Sequence, residues 1–192
     1  MNKFVAALVG CVLLVGCVPE GNARNKEDKI VLSEQDRQAL ESASTTKEQL
    51  TYLYQNFESV LNRDDTLKGV DADENGIRDD IDEFINALMI PENERGFYQQ
   101  SARYTQTVFD YDYSGGTEID TEIAHAHAMT FEPVIHCMVQ LNLVWDDASD
   151  SQDMVFALTL NTELRSQHYA YYSKALDGTG IEGTEPTGDD CK

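Results

Sequence analysis

Positive charge is scarce in this chain. Its 192 residues hold 14 Lys and Arg against 35 Asp and Glu, a formal charge of −21. A surface of that sign repels nucleic acid and anionic lipid headgroups. The partners it favours are cations and basic protein surfaces, and plain solubility is the simplest use of such charge. Alternation of apolar and polar residues is scarce too. Only 138–145 (MVQLNLVW) and 154–160 (MVFALTL) have strand-like composition, so β-structure is confined to one optional hairpin. No G-x-S-x-G, P-loop, dinucleotide fingerprint or H-E-x-x-H occurs, and no internal repeat. The enzyme classes that depend on those motifs are therefore not supported. The chain is long enough for one domain with a core and short for two.

The longest apolar run lies at the start. In MNKFVAALVGCVLLVGCVPEGN, Lys3 precedes an apolar stretch from Phe4 to Gly16, and polar residues follow. That stretch is shorter than the ~20 residues of a spanning helix. Its layout is that of a secretory signal, with an uncleaved membrane anchor as the competing reading. Leu14-Val15-Gly16-Cys17 resembles the bacterial lipobox, in which the cysteine is acylated and becomes the first mature residue. The same four residues occur at Leu8 to Cys11, but cleavage there would strand a second apolar run. The resemblance implies a signal peptide over 1–16 and a lipid at Cys17 that holds the protein to a membrane. Val18 after that cysteine implies sorting to an outer membrane, facing the periplasm. Residues 17–32 then form a polar tether, 33–178 the folded domain and 179–192 a C-terminal tail.

Helical spacing runs through the folded part. Ser33 reads as an N-cap for a helix reaching about Ser44, and Thr46 with Glu48 and Gln49 reads as the capping box of the next. Leu50, Leu53, Tyr54, Phe57, Val60 and Leu61 share one face of it. Ile81, Phe84, Ile85, Leu88 and Met89 mark a third helix, and 92–110 a fourth. From Thr117 to Val144 the spacing stays helical, with Pro133 kinking or dividing it. Asp146 to Asp150 reads as a turn, and the last helix runs from about Gln152 or Leu158 to Leu176, with Gly178 as its cap. Its packing seam is Leu158, Thr162, Arg165, Tyr169, Tyr172 and Leu176. A charge on such a seam needs a partner, so Arg165 predicts an Asp or Glu from a neighbouring helix. The expected fold is an all-α, single-domain helical bundle. With Cys11 removed and Cys17 acylated, Cys137 and Cys191 remain as a disulfide pair in an oxidising compartment, or as two free thiols. A disulfide would pin the tail and contribute ~4 kcal/mol in the chain-entropy account.

Residues 71–82 read DADENGIRDDID. Twelve-residue calcium loops place oxygen ligands at positions 1, 3, 5, 7, 9 and 12 and a glycine at 6. Here those positions are Asp71, Asp73, Asn75, Ile77 (through its carbonyl), Asp79 and Asp82, with Gly76 at the turn. The stretch resembles the loops of EF-hand proteins, and more closely those of the dockerin and thrombospondin type 3 families. That resemblance implies Ca2+ held by these six residues. Position 12 is Asp and not the usual Glu, and no helix runs directly into Asp71, so only the exiting helix is present. A solvated acidic turn is the plainer alternative.

In EIAHAHAMTFEPVIHCM, residues His125, Glu132 and His136 share one helical stripe and could hold zinc, while His127 points elsewhere. A semi-exposed polar face accounts for the same residues. The expected function is non-enzymatic: an envelope lipoprotein whose calcium-stabilised domain binds or scaffolds proteins at the membrane surface. An immunity-type lipoprotein that neutralises a basic effector is one alternative. A metal-dependent hydrolase built on the histidine stripe is another.

Overall fold

Capping residues and helical apolar stripes divide the chain into eight α-helices among the described residues. These are α1 (Glu34–Ser42), α2 (Thr46–Phe57), α3 (Asp79–Asn86), α4 (Glu92–Thr107), α5 (Glu118–Met129), α6 (Glu132–Gln140), α7 (Trp145–Thr159) and α8 (Glu163–Ala175). The computed structural model describes residues 29–180 and 183–191. The signal segment, Cys17 and most of the tether lie outside them. The described residues contain no strand, so the hairpin reading of 138–160 is set aside.

Each boundary has an identifiable cause. Ser33 caps α1 in a reciprocal box with Asp36. The cap of α2 is Thr45 and not Thr46: Glu48 N donates to Thr45 Oγ1 at 3.1 Å, and the Glu48 carboxylate takes the Ser44 amide at 2.7 Å. Thr46 belongs to the first turn because its own amide is taken by Asp147 of α7 at 2.9 Å. Pro133 divides α5 from α6, sitting in the first turn of α6 where no N–H is required. Residues 146–150 are helical and not a turn. Asp146 and Asp147 occupy the first turn of α7, where the helix dipole favours carboxylates. The seam read as one helix is broken instead at Leu160 to Thr162, and Thr162 caps α8.

The main core joins Leu50, Leu53 and Phe57 of α2 to Ile81 and Phe84 of α3, Phe97 of α4, Val134 of α6 and Val155 of α7. A smaller cluster centres on Val108, Tyr113, Ala124 and Tyr172. Two arginines lie inside the fold, Arg78 and Arg165, each with no exposed surface. Arg78 pairs with Asp80 and also donates to the Thr159 carbonyl at 3.1 Å, closing the C-terminus of α7. Arg165 finds carbonyl oxygens and no carboxylate: Asn62 O at 2.8 Å, Asn161 Oδ1 at 2.6 Å and Leu67 O at 3.0 Å. Burial and then repulsion from Arg78 push its pKa down to about 10, so it is still a cation at neutral pH. Gly69 has φ +69°, and a Cβ there would stand 2.3 Å from Arg78 Cδ. Only glycine lets the Arg78 stem cross that backbone.

Cys137 and Cys191 lie at disulfide distance, with Cα atoms 4.7 Å apart. No helix among the described residues is long and apolar enough to cross a membrane.

Candidate metal centre

The acidic loop is held between a buried side chain and a helix start. Ile77 is 1% exposed and joins the core. α3 begins two residues later at Asp79, so Asp79, Asp80 and Asp82 all fall in its first turn, at the positive end of the helix dipole. Asp79 N donates to Val70 O at 2.8 Å and closes the loop. Gly76 and Glu74 both take the left-handed conformation, at φ +83° and +57°. Gly76 makes the reversal that brings position 7 back toward position 1.

Backbone amides then orient the carboxylates. Asp71 accepts from Asn75 N at 3.1 Å and from Gly76 N at 2.9 Å. Asp73 also accepts from Asn75 N, and Asp79 Oδ1 accepts from Ala72 N at 2.8 Å. Asp71, Asp73 and Asp79 consequently each present a ligand oxygen, and these oxygens lie within 4.8 Å of one another. Asn75 sits beside them, its Nδ2 3.0 Å from Asp73 Oδ2 and its Oδ1 accepting from Ile77 N. Asp82 is not brought into the triad. Its Oδ1 accepts from Gln99 of α4 at 3.1 Å and its Oδ2 from Asn86 at 2.8 Å. Three carboxylates at this spacing form an all-oxygen, net-negative donor set of the kind that hard divalent cations take. Asp73, Asp79 and Asp82 also line a groove of about 640 Å³ with Asn62, Asp64 and Val70.

Arg78, at loop position 8, was not a candidate from the sequence, yet it ties the loop to the rest of the fold through Asp80 and α7. Its signal was compositional: it is the one cation among the twelve residues of the loop.

The histidine stripe does not converge on a common point. His125 Nε2 lies 2.9 Å from Gly180 O, and Glu132 accepts from Thr184 N at 2.9 Å and from its hydroxyl. His136 Nδ1 stands 3.8 Å from Asp190. Each of the three faces a different described residue of the C-terminal segment, Gly180, Thr184 or Asp190. His127 turns into the smaller cluster, its Nδ1 3.1 Å from Tyr172 Oη and its Nε2 2.9 Å from Thr107 Oγ1. Burial lowers its pKa and raises that of Tyr172.

Comparison with protein-family models, curated proteins and solved structures finds no match to this chain.

Proposed function

We propose that the chain is a non-enzymatic lipoprotein of the bacterial cell envelope, held at the outer membrane by a lipid on Cys17. Its calcium-stapled helical domain binds partner proteins at the membrane surface. The observation that supports the staple is the approach of the Asp71, Asp73 and Asp79 oxygens to within 4.8 Å, on a loop whose exit is a helix N-terminus. Asp71, Asp73 and Asp79 would hold the ion, with Asn75 and the Ile77 carbonyl beside them, and Asp82 would join by releasing the amide of Gln99 or Asn86. An ion bound only by the folded state stabilises it by about 2.7 kcal/mol at a hundredfold excess over its Kd. Three crowded carboxylates would otherwise repel one another, and the cation removes that repulsion.

The test is calcium calorimetry together with thermal melts in EDTA and in calcium, on the full chain and on Asp71→Asn. One binding site and a calcium-dependent melting temperature are expected, both lost in the variant. No heat at millimolar calcium and an unchanged melt would remove the staple. Recovery of a Cys17→Ser chain in the soluble fraction, with the parent in the membrane fraction, is the expected result for the tether.

A further inference from the structure

Asn75 is followed by Gly76, and no other asparagine or glutamine in the chain precedes a glycine. Asparagine is a thermolabile side chain. Its weak point is the side-chain carbonyl carbon, which the next backbone nitrogen can attack when no Cβ shields that nitrogen. Asn75 and Gly76 are both half-buried, so water reaches them.

In the closed loop each group of this reaction is held. Gly76 N donates to Asp71 Oδ2 at 2.9 Å, which keeps its proton in place. Asn75 Oδ1 accepts from Ile77 N at 2.8 Å in an Asx turn. Asn75 Nδ2 donates to Asp73 Oδ2 at 3.0 Å and reaches Asp82 Oδ2 at 3.5 Å. The carboxamide is therefore the neutral link between Asp82 and the acidic triad. Asp71 and Asp73, which hold these groups, are two of the three acids whose oxygens crowd within 4.8 Å. Repulsion among those acids works against the bonds that keep the loop closed.

We propose that Asn75 is a deamidation site, reactive when the loop opens, and that its product makes the loop more dependent on a bound cation. On opening, Gly76 N bonds to Asn75 Cγ and gives its proton to water. The Cγ–Nδ2 bond breaks, and ammonia leaves with a proton returned by water. The five-membered imide then takes up one water. Cleavage at the side-chain carbonyl leaves an aspartate at this position, and cleavage at the main-chain carbonyl leaves an isoaspartate. In the aspartate a charged oxygen stands where Nδ2 stood. Its contacts with Asp73 and Asp82 change from donor against acceptor to charge against charge. A fourth carboxylate also enters the donor set, at a position from which calcium loops take a ligand. The reaction needs no ion, and only the effect of its product on cation demand rests on the function proposed above.

Trypsin cuts after Lys68 and Arg78 and releases residues 69–78, a peptide whose sole amide side chain is Asn75. The full chain is aged at neutral pH in calcium, in EDTA and in urea, and mass spectrometry follows the exchange of amide for acid in that peptide. Conversion is expected to be fastest in urea, about tenfold slower in EDTA because only the open fraction reacts, and slowest in calcium. Asn75→Asp is expected to melt below the parent in EDTA and to gain more from calcium than the parent does. Asn75→Ser, which adds no charge, is expected to show no such enlarged gain, which separates the new carboxylate from mere loss of the amide. No conversion in EDTA while the urea sample converts would overturn the proposal. So would conversion no faster than at the exposed Asn86 and Asn142. An Asn75→Asp chain that melts with the parent in EDTA would overturn the effect assigned to the product. Equal conversion in calcium and in EDTA would count against the calcium staple and support a deamidation site that is independent of it.

Discussion

Changing Asp80 to Asn removes one negative charge from inside the protein and leaves its shape almost intact. Arg78 and Asp80 are 0% and 7% exposed. The guanidinium meets the carboxylate twice, through Nε to Oδ1 and through Nη2 to Oδ2 at 3.0 Å. Oδ2 also accepts from Asn62 N at 2.7 Å. In Asp80→Asn the Arg78 cation stays buried without a countercharge, and an amide N–H faces at least one of these donors. Removing one member of a buried ion pair costs about 3–5 kcal/mol. For a chain of this length 1 kcal/mol moves the melting temperature by about 2–4 °C, so a fall of roughly 10 °C is expected. Arg78→Met should also destabilise, because it strands Asp80 and uncaps the Leu158 and Thr159 carbonyls. The double variant should lose less than the sum of the two, with a coupling of at least about 2 kcal/mol. Urea unfolding followed by circular dichroism, at fixed pH and fixed calcium, measures all four corners. A loss under about 1 kcal/mol in Asp80→Asn, or simple additivity, would refute the pairing.

Reducing the Cys137–Cys191 pair, which spans 54 residues, should lower stability by up to ~4 kcal/mol. It should also open the segment after Gly178 to protease, read by mass spectrometry, while the helices stay protected. A tail equally resistant with and without reductant would show that Glu132 and the other side-chain contacts suffice. His127 sets an acid limit. Burial lowers its folded pKa below the unfolded value near 6.5, so its contribution is complete above that pH. That contribution is lost as pH falls through the folded value. The urea midpoint should therefore decline below about pH 6.5 in the parent, and less steeply in His127→Phe, which keeps the ring contacts to Tyr104 and Tyr172.

What could be read in the sequence was what is decided locally. Ser33 and its box partner Asp36 stand three residues apart, and Pro133 acts on its own turn, so both were legible. The spacing of the acidic loop was legible for the same reason, since Asp71, Asp73 and Asp79 are ordered by amides within the loop. The errors arose where a distant group decides. Thr45 and Thr46 are equivalent caps until Asp147 claims one amide. The acids of 146–150 suit a turn and a helix start equally well by composition, and Thr46 and Lys47 of α2 select the helix. Arg165 was expected to find a carboxylate and finds carbonyls, because the nearby carboxylate belongs to Arg78. The His125, Glu132 and His136 stripe looked like ligands because their partners, Gly180, Thr184 and Asp190, lie in a tail with no helical signal.

The side chain of Arg78 has a consequence in time as well as in energy. Its bonds to Leu158, Thr159 and Asn161 span 80, 81 and 83 residues, and Arg165 reaches back 103 to Asn62. A chain made from its first residue onward presents the acidic loop long before the far ends of these bonds exist. Two guanidinium groups must then be buried together, across a closure whose entropy is lost before the contacts repay it. The loop acquires its final setting only when α7 and the start of α8 arrive. A truncated chain ending before Leu158 would carry the loop's residues in full and lack the distant carbonyls that seat its one arginine.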